Sequence, residues 1–129
     1  MKTIVWITVF ICQTSLALAQ PKFDDEFNMV ANTFKEKFRI AISPLIDAQN
    51  GDANDSKEYR LLKMSQEDAY VQKAAFLVEG FKKQMLSEKN KNKVYSRQEI
   101  YDVLARGFKY EFIGLSAEFY ADIRKTLKL

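Results

Sequence analysis

The sequence predicts an all-α fold, a compact bundle of four or five helices without disulfides. Apolar side chains recur three and four positions apart in several separate stretches, which is the spacing of one helix face. Capping signals and polar breaks punctuate those stretches. The composition is that of a folded globular chain: 47% of 129 residues are apolar and 29% charged, with four Gly and two Pro. A disordered tail, a collagen-like repeat and a low-complexity linker are all excluded.

Lys2, the apolar run over residues 4–18 and the Ala17-Leu18-Ala19 tripeptide together read as a secretory signal over 1–19, cleaved before Gln20. The run is shorter than the roughly 20 apolar residues of a membrane anchor. Cleavage removes Cys12 and Trp6, the only residues of their types, and leaves one helical domain over 20–129 with no Cys, His or Trp. The expected location is therefore extracellular or a secretory granule. A secreted domain without disulfides must hold itself together by burial. Nine of the ten Phe and all six Tyr remain for that purpose.

The first helix carries Phe23, Phe27, Val30, Phe34, Phe38 and Ile42 on one face. Asp24, Asp25 and Glu26 lie at its expected start, where the helix dipole favours acids. Ser43-Pro44 is expected to interrupt it, because proline lacks the N–H and disfavours helix at the residue before it. A short helix capped by Ser43 then ends at Asn50-Gly51, and residues 50–56 form a loop. A long helical region over 57–88 places Tyr59, Leu62, Ala69, Tyr70, Ala74, Leu77, Phe81 and Met85 at apolar positions. An internal capping box over 65–68 suggests a kink or a division. After a Lys/Asn-rich break over 89–93, Ser96 and Glu99 form a capping box, with Tyr95 and Ile100 placed as a hydrophobic staple. The stripe Ile100, Val103, Leu104, Gly107, Phe108, Phe112 runs on to Gly114 as the expected cap. Ser116 caps a last helix bearing Phe119, Tyr120, Ile123 and Leu127.

The chemistry available is narrow. Without His, and with Cys12 confined to the signal, Ser/His and Cys/His nucleophile pairs and ordinary zinc or haem ligation have no residues to use. No Gly-rich phosphate loop is present. The carboxylate groups Asp24/Asp25/Glu26, Glu67/Asp68 and Glu99/Asp102 sit in expected first turns, where acids stabilise helices without catalysing anything. No catalytic residue, metal site or cofactor is expected, and the charge imbalance is too small for a nucleic-acid partner.

Two features point to binding. Over 82–97, six basic side chains face only Glu88. Lys82, Lys83, Lys89, Lys91, Lys93 and Arg97, joined downstream by Arg106 and Lys109, suit an extracellular glycoprotein or an anionic membrane surface. The simpler reading of these lysines is a solvated segment that maintains solubility. The second feature is the aromatic-rich set Phe27, Phe34, Phe38, Leu77, Phe81, Leu104, Phe108 and Phe112. It reads first as core, and alternatively as the lining of an apolar-ligand site or the source of a homodimer face. Asn54-Asp55-Ser56 is an N-glycosylation sequon in the expected loop.

The layout also resembles a known family. A Pro21-Lys22-Phe23 start and a Phe-striped first helix precede a long second helix ending with Phe81-Lys82-Lys83 and Met85-Leu86. A polar loop and a helix bearing Ile100, Leu104, Arg106, Phe108 and Tyr110 follow. This order is similar to that of gastropod sperm lysins and their fusagenic acrosomal paralogue. The resemblance implies a secreted, non-enzymatic helical bundle that loosens egg-coat glycoprotein or acts on membranes in fertilisation. It directs attention to Lys82, Lys83, Arg97, Arg106 and Lys109. The alternative reading of the residues is a small secreted carrier of a fatty acid or other apolar ligand.

Overall fold

The computed structural model describes residues 2–51, 56–87 and 94–129, with side chains from residue 23 onward. Four helices and no strand occur among them: α1 (Lys2–Asn50), α2 (Lys57–Ser87), α3 (Arg97–Glu111) and α4 (Ala117–Thr126). No described helix is long and apolar enough to cross a membrane.

The spacing of the α1 stripe decides the architecture. Phe27, Val30, Ala31, Phe34, Phe38, Ile42 and Ile46 are all buried, so this face packs along its whole length. Phe34 lies 5.0 Å from Phe108 and 5.6 Å from Tyr101, ring centre to ring centre, and meets Phe119 edge-on at 6.2 Å. Phe38 stands 4.6 Å from Phe112. Tilted and edge-on ring pairs of this kind add about 0.5–1.5 kcal/mol each beyond their burial. α1 is thus the central helix, touching α2, α3 and α4, while α2 also packs on α3. Pairing of Asp47 with Lys63 and of Asn28 with Lys82 sets α2 antiparallel to α1. Glu26 meets Arg97 and Phe38 meets Phe112, so α3 runs parallel to α1. Lys37 pairs with Asp122 at 3.0 Å, and Leu127 lies beside Arg97, so α4 returns antiparallel. One hydrophobic cluster serves all four helices.

Caps place the boundaries. Ser96 accepts the Glu99 N–H while Glu99 accepts the Ser96 N–H, both at 3.1 Å, completing the capping box. Ser116 caps α4 in the same conformation and accepts the Phe119 N–H. Ser56 starts α2 by accepting the Tyr59 N–H at 3.1 Å. Gly51 closes α1 at φ 80°, a left-handed conformation that suits a residue without Cβ.

Three expectations are corrected. α1 does not break at Ser43-Pro44 but continues to Asn50. Pro44 is exposed, and Ile42 and Ile46 on either side are buried, so packing on the opposite face outweighs the hydrogen bond that proline cannot donate. α2 likewise runs unbroken through residues 65–68. Its inward face keeps Tyr70, Ala74, Leu77, Phe81 and Met85 as expected but differs at three positions. Leu62 and Ala69 are exposed, whereas Val78 is buried with Ala74 and Met85. The reason is that α2 serves two neighbours, so its apolar residues divide between a face toward α1 and a face toward α3. Asp24 and Glu26, which a chain cleaved before Gln20 keeps within two turns of its start, pair across the bundle with Lys82 and Arg97.

Candidate functional site

Between α2 and α3 the packing leaves an open groove of about 490 Å³. One wall is Leu77, Phe81, Gln84 and Met85, spaced so that they fall on one side of α2. The other is Val103, Arg106, Gly107, Tyr110 and Glu111 of α3, with Tyr95 beside them. Gly107 is the reason that the walls meet as they do. A Cβ built on it would lie 2.6 Å from Phe81 Cζ, so the Phe81 ring rests in the notch left by the missing methyl. Glycine inside a helix costs about 1 kcal/mol relative to alanine, and this contact explains why it is accommodated here.

The groove is apolar with a small, defined charge. Glu111 is paired with Lys73 at 3.4 Å across one end. Arg106, the other charged residue of the lining, is exposed and forms no ion pair among the described residues. Tyr110, one turn beyond Arg106, is 82% exposed. At the Tyr95 end, the Tyr95 ring packs 5.8 Å from Phe23 and ties the groove to the start of the α1 stripe.

Of the residues expected to form a core or a ligand lining, Phe27, Phe34, Phe38, Leu104, Phe108 and Phe112 are at most 2% exposed and interlock as core. Leu77 and Phe81 are the two that face open space. Phe38 also reaches the floor of a smaller concavity of about 290 Å³ between α1 and α2, rimmed by Lys35, Glu36 and Arg39.

The basic residues divide similarly. Arg97 donates to both oxygens of Glu26, at 2.9 and 3.3 Å, and to the Leu127 carbonyl at 3.2 Å. The Glu26 carboxylate holds the guanidinium even more firmly charged than usual. Lys82 reaches Asp24 at 3.7 Å and Asn28 at 3.5 Å, with its ammonium 5.9 Å from the Phe27 ring centre. Lys109 lies 5.0 Å over Tyr120. These three therefore contact neighbouring helices, while Lys83 and Arg106 project outward. Lys89, Lys91, Lys93 and Asn54 lie outside the described residues, and the side chains at 17–19 do too.

A polar cluster at the far end of the α1–α2 pair has the opposite character. Asp47 accepts hydrogen bonds from the Tyr59 hydroxyl and, at 2.9 Å, from Lys63. These donors hold the Asp47 carboxyl below the usual carboxylate range, and Asp47 in turn raises both Tyr59 and Lys63. Each shift strengthens the ordinary protonation state, so none of the three is poised as a base or a nucleophile. Gln49 to Tyr70 and Asn50 to Gln66 extend the cluster into a clamp between the helices. Among the expected acid groups, Glu99 closes its cap and Asp102 accepts from Gln98 at 2.8 Å. No three acidic, His or Cys residues converge on a metal-sized space among the described residues.

The stripe reading missed Gln84, Tyr110 and the joint role of Gly107 and Phe81. A glycine inside an otherwise strong helix was the one local signal of a close neighbour. No family model matches the chain, and neither the curated proteins nor the solved structures show a match to it.

Proposed function

We propose that the protein is an exported, non-enzymatic binding protein whose working surface is the α2–α3 groove, where it takes an apolar ligand. The observation that carries this reading is the groove itself. It has apolar walls and a volume of about 490 Å³, within the range of small-molecule sites, and its Arg106 and Tyr110 are left outward. The secretory signal over 1–19 supports an extracellular setting.

Recognition of a glycoprotein or membrane surface in fertilisation, which the lysin-like layout implies, draws support from Lys83 and Arg106. It is weakened by the commitment of Lys82 and Arg97 to ion pairs within the bundle. The groove reading is tested with the uncharged dye N-phenyl-1-naphthylamine and the purified protein. Uptake with a blue shift is expected, and Leu77→Glu, which places a charge in the wall, should abolish it without changing the helical circular dichroism. Absence of uptake, or uptake indifferent to Leu77→Glu, refutes the groove as the working surface.

A further inference from the structure

We infer that the occupant of the groove is an aliphatic carboxylic acid of medium chain length, with its carboxylate on Arg106 and its tail against Phe81 and Leu77. The inference rests on the groove reading and adds the chemistry of the ligand. Its first support is the charge balance of the lining. The two charged side chains there are Arg106 and Glu111, and Glu111 is neutralised by Lys73 at 3.4 Å. The groove thus presents one cation that is unpaired among the described residues, beside apolar walls, which complements a ligand with one anionic head and an apolar body. A guanidinium fork matches a carboxylate in two parallel hydrogen bonds, a geometry that a lone ammonium does not offer.

The second support is length. The lining of α3 spans Val103 and Glu111, which at 1.5 Å per residue is about 12 Å of helix. Arg106 stands partway along it, so the tail that fits is short compared with that of a membrane lipid. The third is the Phe81 ring. It is half-buried and borders open space, so it supplies an aromatic wall able to turn toward a bound chain.

The experiment compares decanoic acid, decan-1-ol and decyltrimethylammonium as displacers of N-phenyl-1-naphthylamine from the purified protein, below the concentrations at which they aggregate. The acid is expected to displace the dye about tenfold better than the alcohol, the low end for a hydrogen bond to a charged group. Arg106→Gln should remove that preference, Arg106→Lys should restore part of it, and Lys125→Gln, which alters an exposed lysine of α4 outside the lining, should leave it intact. Equal displacement by acid and alcohol, or a preference that survives Arg106→Gln, overturns the carboxylate assignment while leaving the groove reading in place. Failure of every displacer, together with dye uptake unaffected by Leu77→Glu, overturns both. A concentration-dependent dimer dissolved by Leu77→Glu would put a second copy of the chain in the groove and likewise overturn the inference.

Discussion

Replacing Gly107 by alanine sets two effects of opposite sign against each other at one position. In the interior of α3, alanine is the better helix former by about 1 kcal/mol. The new methyl, however, would stand 2.6 Å from Phe81 Cζ and closer still to Cε2, so the ring must leave its notch. Overpacking of this kind costs about 1–3 kcal/mol. The expected net result is a loss of about 1 kcal/mol, small because the ring borders an open groove into which it can turn. Phe81→Ala removes the obstacle. In that background Gly107→Ala should stabilise by about 1 kcal/mol, so the coupling between the two sites is about 2 kcal/mol. Urea unfolding of the four proteins, followed by far-ultraviolet circular dichroism and extrapolated linearly, measures each term. Stabilisation by the same amount in both backgrounds would falsify the Phe81–Gly107 contact. The single variant should also take up less N-phenyl-1-naphthylamine, because the displaced ring occupies the groove.

Tyr120→Phe should raise stability by about 1 kcal/mol in the same assay, because the buried Tyr120 hydroxyl has no hydrogen-bond partner among the described residues; a loss of stability would mean that the hydroxyl is satisfied. Burial pushes the Tyr120 phenol up to about 12, from 10.0 in an unfolded chain. The unfolded state therefore loses its proton first, and stability should fall as pH rises from about 10 to about 12. Tyr120→Phe should reduce that alkaline loss, and an unchanged alkaline limb would refute the assignment. Asp47 titrates with the opposite sign: its folded carboxyl lies below the usual range, so its contribution is present above that range and disappears as pH falls through the lowered value. Asp47→Asn should flatten the acid limb of the stability profile, and an unaltered limb would show that the Tyr59–Asp47–Lys63 cluster does not clamp the helices.

The sequence alone determined those features that depend on neighbours within one turn. Ser96 with Glu99 and Ser116 with Phe119 place two helix starts, because a cap involves groups three residues apart. Phe27, Phe34, Phe38 and Ile42 declare a buried face, because the α-helical period puts them on one side whatever they pack against. The all-α class follows from these local rules. Tertiary structure decided the rest. Pro44 is carried inside α1 because Ile42 and Ile46 are buried around it, which no local propensity encodes. Arg97 and Lys82 look like free surface charges in the chain, yet Glu26 and Asp24, 71 and 58 positions earlier, neutralise them across the bundle. The groove belongs to this second group. It arises where Gly107 meets Phe81, with Arg106 exposed beside them, and only the relative placement of α2 and α3 sets that meeting. Period and caps report which face of a helix is apolar, while the direction in which it meets its neighbour depends on how all the faces pack at once.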